Sequence, residues 1–148
     1  MVLDHKISFN TKWTRTFFLL HKPPDYIQTN HYTKFNKPDI VVIHKVKDEI
    51  LIIEGSCPWD ENLEEKVVEK QNKYKSLAIE LKSLYQKTNC GIAELVIGAT
   101  GTVNNSLKTA VEKISINYRD TLKLISNCQK ATILGTIRIC RQIFDGSV

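Results

Sequence analysis

Long apolar runs are missing from this 148-residue chain. The longest contain four residues, at 17–20, 40–43 and 50–53, whereas a membrane-spanning helix requires roughly 18. We therefore expect no transmembrane segment and no membrane partner. The residues before Phe17 are mostly polar, and 17–20 is too short for the apolar region of a signal peptide. An intracellular protein is accordingly expected.

Closely spaced cysteines are missing as well. The four cysteines are separated by at least 12 positions, which excludes the CxxC pairs of a zinc ribbon and a dense disulfide framework. We interpret Cys57, Cys90, Cys128 and Cys140 as reduced thiols at small, buried positions. The four histidines are scattered, so no histidine metal site is predicted.

The chain also lacks a Walker lysine, a glycine-rich dinucleotide motif and a Ser-His-Asp order. The stretch Gly-Ala-Thr-Gly at 98–101 is therefore interpreted as a chain reversal and not as a phosphate cradle. Trp59, which follows Pro58, has the chemistry to stack on a nucleobase. Packing in a core or under a lid is the favoured interpretation of this tryptophan.

Acidic residues are in the minority, with 16 Asp and Glu against 21 Lys and Arg and a formal charge of +5. Residues 1–50 carry eight basic and five acidic side chains, residues 51–103 carry six and eight, and residues 104–148 carry seven and three. Basic ends suit a polyanionic partner, and an acidic centre suits metal-binding carboxylates. Ordinary solvated faces would give the same counts.

Two apolar runs predict the centre of the fold. Residues 40–43 and 50–53 are rich in Ile and Val and are separated by a charged turn at 45–49, which predicts a hairpin. Because neither run alternates with polar residues, we expect helices on both faces of the sheet. Residues 1–37 are predicted to form a short helix or extended arm and then a strand, with a turn at 21–25.

A long helix is expected from Asp60, acting as N-cap, to about Gln86. Further elements are a strand at 91–98 and helices at 103–114 and 118–143. The fold class is therefore α/β, with a mixed central β-sheet flanked by helices. One domain, 1–148, is predicted, with its core at about 37–105 and a helical C-terminal part at 106–148. The apolar stripe predicted along the long helix comprises Leu63, Val67, Tyr74, Leu77, Leu81 and Leu84.

Two acids stand at the ends of the predicted hairpin strands. Asp39 precedes the first strand and Glu54 follows the second, so the two carboxylates should be neighbours at one end of the sheet. Such a pair should raise each other's pKa and attract a divalent cation such as Mg²⁺ or Mn²⁺. The alternative is a pair of strand-end charges that face water.

A lysine interrupts the apolar stripe of the long helix. At 100° per residue, Lys70 falls in line with Leu63 and Leu77 and should point at the sheet. A carboxylate partner would offset the cost of burying its ammonium group, and Lys70 could then neutralise charge that develops in a reaction. The alternative is a lysine that extends past the apolar surface to solvent.

Four stretches, at 37–43, 51–60, 69–74 and 96–103, resemble a known family. The Lys37-Pro38-Asp39 sequence followed by Glu54 after an apolar strand resembles the PD-(D/E)xK superfamily of metal-dependent nucleases. The similarity is closer to the restriction-like endonuclease domain at the C-terminus of non-LTR retrotransposon reverse transcriptases. It covers about residues 37–105. One departure is Ser56, which stands where the superfamily usually has its lysine.

The resemblance implies a restriction-endonuclease-like core and a role for each matching residue. Asp39 and Glu54 would be metal ligands for Mg²⁺ or Mn²⁺, and Lys70 would be the catalytic lysine, with Lys73 or Lys66 as substitutes. Contacts to nucleic acid would involve His21, Lys37 and Lys66. The implied partners are DNA and the reverse transcriptase polyprotein, and the implied location is nuclear if the target is chromosomal DNA.

Two functional hypotheses follow. The first is a metal-dependent DNA endonuclease domain that hydrolyses phosphodiesters and derives from a retrotransposon reverse transcriptase. The second is a catalytically inactive nuclease-like module that binds nucleic acid or scaffolds a larger polyprotein. Convergence of Asp39, Glu54 and Lys70 within metal-ligand reach would favour the first hypothesis.

Overall fold

A computed structural model describes residues 18–21, 34–35, 37–44, 47–114 and 117–146, the first of these ranges by its backbone alone. It contains a four-stranded sheet in the order β1-β2-β3-β4. The strands are β1 (Phe18–His21), β2 (Ile40–His44), β3 (Glu49–Ser56) and β4 (Asn89–Val96). β1 and β3 are antiparallel to β2, which lies between them, and β4 is parallel to β3. The α/β class with a mixed sheet is therefore confirmed.

Within the described residues, five helical segments connect or follow the strands. A 3-10 turn, Asp60–Asn62, leads into α1 (Leu63–Lys73) and α2 (Lys75–Leu84), which together form the crossover between β3 and β4. Helices α3 (Asn105–Ile114) and α4 (Tyr118–Phe144) follow β4. Among the described residues, no helix combines the length and apolar character needed to cross a bilayer.

Helices cover both faces of the sheet, as the uninterrupted apolar runs predict. On one face, Val41 and Ile52 pack against Tyr74 and Leu77 of the crossover. On the other face, Val42, Leu51 and Ile53 pack against residues of β4 and α3. Alternate residues of one strand thus enter two separate cores, because successive side chains of a strand point to opposite faces.

The predicted single helix from Asp60 to Gln86 is wrong in three respects. Its backbone breaks at Tyr74, and α2 ends at Leu84. Leu84, assigned to the buried stripe, is 41% exposed at that end. Asp60 does not cap the helix, because it lies inside the 3-10 turn, where Trp59 is the N-cap, and the N-cap of α1 is Asn62. The other five stripe residues are buried: Leu63, Val67, Tyr74, Leu77 and Leu81.

The carboxylate of Asp60 instead binds the turn after β4. It accepts hydrogen bonds from Thr100 N at 3.2 Å, from Thr102 Oγ1 at 2.6 Å and from Thr100 Oγ1. We call these three residues the carboxylate clasp. The hydroxyls of Thr100 and Thr102 lower the pKa of Asp60. A Cβ on Gly98 would come within 2.8 Å of Asp60 Cγ, so this glycine leaves room for the clasp.

Helix α4 docks on the same turn. Gln129 Nε2 donates to Gly101 O at 2.9 Å, and Thr136 Oγ1 donates to Ala99 O at 2.8 Å. Gly101 has a φ of +89°, in the left-handed region that glycine tolerates. The 98–101 stretch is thus a chain reversal, as predicted, and it joins the start of the crossover to α4.

The structure also adjusts the bounds of several predicted elements. The strand expected at 91–98 is Asn89–Val96, and the helix expected from Val103 begins at Asn105. Glu49, assigned to the turn, opens β3. In the N-terminal prediction, residues 18–21 form β1, ahead of the predicted turn at 21–25. The helix or arm, most of the turn and the strand expected after it lie outside the described residues and stay predictions.

Two of the four cysteines depart from their predicted burial. All four are free thiols, but Cys57 and Cys140 are exposed, and only Cys90 and Cys128 are partly buried. Burial raises the pKa of Cys90 to about 11. Trp59 is 76% exposed, so the expectation that it packs in a core or lid is wrong.

Two further polar side chains lie against the sheet. His44 is buried at the far end of β2 from Asp39, and its Nδ1 accepts a hydrogen bond from Lys47 N at 2.9 Å. Burial and the nearby Lys47 lower its pKa. At the edge of the sheet, Lys113 of α3 reaches across β4 and donates to Ile92 O.

Candidate active site at the end of the sheet

The two acids singled out in the sequence are neighbours. Ile40 of β2 is paired with Ile53 of β3, so Asp39 and Glu54 follow as the next position of the same ladder. Asp39 N donates to Glu54 Oε2 at 3.1 Å, and Gly55 N donates to Asp39 Oδ2 at 2.8 Å. Each carboxylate is therefore held by a backbone N–H of the opposite strand.

The acids differ in their exposure. Glu54 is 4% exposed, whereas Asp39 lies at the surface. A buried carboxylate needs charged or hydrogen-bonding partners, because its transfer out of water is costly. An exposed carboxylate is open to a hydrated cation. The pair thus consists of one accessible carboxylate, that of Asp39, and one buried carboxylate, that of Glu54.

Lys70 supplies the principal partner of Glu54. Its Nζ lies 2.6 Å from Glu54 Oε1, and the lysine side chain is 12% exposed. The expectation that Lys70 points at the sheet from within the apolar stripe is confirmed. It does not extend past the stripe to bulk solvent.

Lys73 makes a second contact with the same oxygen. Its Nζ is 3.2 Å from Glu54 Oε1, with the side chain 25% exposed. The ammonium also lies 4.7 Å from the ring centroid of Tyr74, a cation–π distance. Glu54 Oε1 therefore accepts from two lysines one helical turn apart on α1.

The electrostatics correct one expectation from the sequence. Burial tends to raise the pKa of Glu54, but the Lys70 hydrogen bond, the Asp39 N–H and the charges of both lysines together lower it. The prediction that the carboxylate pair would raise this pKa is therefore wrong. The two ammonium groups, which the hairpin argument left out, and the Asp39 N–H together outweigh the effect of burial.

Tyr74 fixes the segment that enters the site. Its side chain is fully buried, and its hydroxyl donates to Lys37 O at 3.0 Å. Burial and the charge of Glu54 raise the pKa of Tyr74 far above the ordinary range, so the phenol remains protonated as a donor. It ties the Lys37-Pro38-Asp39 segment to the junction of α1 and α2.

Three residues predicted to contact nucleic acid have different placements. Lys66 Nζ pairs with Glu69 at 2.6 Å on the exposed side of α1, and its contact is with that residue and not with Glu54. Lys37 is exposed beside Asp39. His21 is paired with Val41 at the Asp39 end of the sheet, and only its backbone is described.

Sequence reasoning missed one buried acid. Glu94 of β4 is the register partner of Glu54 and is 4% exposed. Lys113 Nζ lies 3.9 Å from its Oε2. The sequence does show an acid inside the third predicted strand. The register that pairs Glu94 with Glu54, however, depends on the length of the crossover between the two strands.

The donor set suits a cation that retains water. Within the part of the chain that the structure describes, no group of three or more His, Cys, Asp and Glu side chains could hold a metal. Asp39 and Glu54 offer two carboxylates, and Mg²⁺ is commonly bound by one or two carboxylates with waters and substrate phosphates completing its shell. Two carboxylates are within the number that Mg²⁺ uses when waters and a phosphate complete its shell.

Comparison with protein-family models, with curated proteins and with solved structures gave no match to this chain.

Proposed function

We propose that this chain is a metal-dependent DNA endonuclease domain with a restriction-endonuclease-like core, which hydrolyses phosphodiester bonds. The observation that carries the proposal is the convergence of Asp39 and Lys70 on the buried Glu54 at the end of two paired strands. Two acids and a lysine at the end of paired strands form a minimal set for this chemistry.

Each residue has a distinct role in the proposed reaction. Asp39 and Glu54 would hold Mg²⁺ or Mn²⁺, which polarises a phosphoryl oxygen and lowers the pKa of a bound water. Lys70, fixed by its ion pair, would place a positive charge where the phosphoryl group gains negative charge. Lys73 would serve as the second such group, since it reaches the same Glu54 oxygen.

The charge of α4 supports DNA as the partner. Between residues 121 and 144 this helix carries four basic side chains and no acid. All four are exposed, and at 100° per residue they fall on one side of the helix. We call them the basic stripe: Lys123, Lys130, Arg138 and Arg141. Together with Lys37 beside Asp39, the stripe offers contacts to backbone phosphates.

The biological setting is part of the same proposal. The family that the 37–105 segment resembles implies that the domain acts within a retrotransposon reverse transcriptase polyprotein. It would then act inside the cell, and in the nucleus if the target is chromosomal DNA.

A second candidate function is an inactive nuclease-like module that binds nucleic acid or scaffolds the polyprotein. One observation favours it: the formal charges of Asp39 and Glu54 are balanced by those of Lys70 and Lys73. A neutral site attracts a divalent cation less strongly than two unpaired carboxylates would. The module would then bind DNA through its basic surface without cleaving it.

A plasmid-nicking assay in Mg²⁺, Mn²⁺ or EDTA tests the first candidate against the second. We expect nicking by the wild-type chain with metal and none in EDTA. Asp39→Asn should abolish nicking, because it removes the exposed carboxylate ligand and keeps the size of the side chain. Lys75→Met is the matched control, since Lys75 is an exposed lysine at the start of α2.

The outcomes separate the candidates. DNA binding without nicking in either metal would favour the inactive module. Nicking by Asp39→Asn at the wild-type rate would contradict the proposed site.

A further inference from the structure

An exposed aromatic ring lies beside the candidate active site. Phe35 is 38% exposed, although a phenylalanine in a folded domain usually finds a place in the core. Two lysine ammonium groups lie over its ring, with Lys34 Nζ 5.3 Å and Lys73 Nζ 5.6 Å from the centroid. An exposed aromatic ring in contact with cations is the combination that single-stranded nucleic-acid sites use, where a base stacks on the ring and the cations bind its phosphates.

Lys73 connects this ring to the site. Its Nζ lies 5.6 Å from the Phe35 centroid and 3.2 Å from Glu54 Oε1. The separation between the ring centroid and that oxygen therefore cannot exceed the sum of the two distances. A nucleotide whose phosphate binds the metal that Asp39 and Glu54 would hold could thus bring its own base, or the next one, onto the ring.

A base within a duplex has both of its faces covered by its neighbours in the stack. Phe35 could meet the face of a base only where the DNA is single-stranded, frayed or locally opened. The lysines beside the ring could then bind the phosphates on either side of the stacked base.

We propose that Phe35 stacks on an unpaired nucleobase next to the reacting phosphate, so that the substrate class is DNA with unpaired bases near the cleavage position. This inference rests on the proposed nuclease function. The alternative is a purely structural role for Phe35, in which the ring packs against Lys73 and holds that side chain near Glu54. The two accounts differ in their effect on binding to single strands and duplexes.

The test is fluorescence anisotropy in EDTA, so that binding is measured without cleavage. The probes are one labelled oligonucleotide as a single strand and the same oligonucleotide annealed to its complement. Phe35→Ala should weaken single-strand binding about 10-fold, the scale of one missing base–aromatic stack, and change duplex binding less than about twofold. Phe35→Trp should restore single-strand binding, because indole also stacks on a base.

Phe144→Ala is the matched control. Phe144 is 87% exposed at the end of α4, so its replacement removes an exposed phenylalanine on a helix that contributes no residue to the candidate active site. It should leave both affinities unchanged.

Each other result overturns the inference. Equal losses for single strand and duplex would mean that Phe35 acts through Lys73 and its charge. Unchanged single-strand binding by Phe35→Ala would remove the stacking role altogether. Failure of the wild-type chain to bind either probe would refute the proposed function as well, whereas duplex-only binding would refute the inference alone.

Discussion

The ion pair between Lys70 and Glu54 makes a quantitative prediction about stability. Lys70→Met keeps most of the side-chain volume but removes the ammonium that lies 2.6 Å from a nearly buried carboxylate. Breaking a buried pair from one side typically costs about 3–5 kcal/mol, because the other charge is left without its partner. Here Lys73 and the Asp39 N–H still contact Glu54, so we expect a smaller loss of about 2 kcal/mol.

Urea unfolding at pH 7 measures this loss. With an ordinary urea dependence, about 2 kcal/mol corresponds to a midpoint lower by about 1 M and an unchanged slope. Lys75→Met, which removes an exposed lysine from α2, should unfold as the wild-type chain does. The double variant Lys70→Met/Glu54→Gln should lose less than the sum of its single variants, by about 1 kcal/mol or more.

The pH dependence of stability is a second test of the stabilising effect of this ion pair. The folded protein lowers the pKa of Glu54 from its ordinary value of 4.5, so this group stabilises the fold above pH 4.5. That contribution is lost as the pH falls below 4.5 through the folded-state pKa. The difference between wild type and Lys70→Met should therefore shrink in acid. A Lys70→Met variant at least as stable as wild type at pH 7 would refute the reasoning.

Three further predictions concern other parts of the chain. Gly135→Ala should stabilise the protein by about 0.5–1 kcal/mol, because a Cβ in the middle of α4 meets no atom within 4 Å. Gly98→Ala should lower the thermal midpoint by disturbing the carboxylate clasp, and a change of thermal midpoint in the same direction for both variants would contradict this. At pH 8, Ellman's reagent should modify the exposed Cys57 and Cys140 before Cys90, whose pKa burial raises to about 11; retention of the fast phase by a Cys57→Ser/Cys140→Ser variant would contradict that order. DNA affinity should fall steeply with salt, and replacing the basic stripe by alanine should flatten the slope by about one for each phosphate that the protein no longer neutralises; an affinity that does not change with salt would contradict phosphate binding.

The centre of the fold was predictable because its signals are local. Each of the two runs of four apolar residues is long enough for a strand, and a short charged turn allows only antiparallel pairing. That pairing alone brings Asp39 beside Glu54. The inward direction of Lys70 was also predictable, since it follows from helical periodicity on one segment.

The missed features depend on partners distant in sequence. Asp60 has the local signature of an N-cap, but Thr100 and Thr102 compete for its carboxylate from 40 positions away or more. The break in the helix at Tyr74 does not disturb the apolar periodicity, because the Tyr74 side chain is buried whether the helix is continuous or broken there. The lowered pKa of Glu54 likewise depends on how α1 lies over the sheet, which periodicity does not determine.

The Lys113 contact with β4 has a consequence for association between molecules. In the described sheet β4 is an edge strand, and an edge strand presents unpaired backbone groups that can template a strand from another chain. The ammonium of Lys113 occupies the carbonyl of Ile92 and puts a positive charge on that edge. A strand approaching from outside would have to displace the lysine and bury its charge. A single side chain of α3 therefore disfavours intermolecular β-pairing at Ile92 on this edge of the sheet.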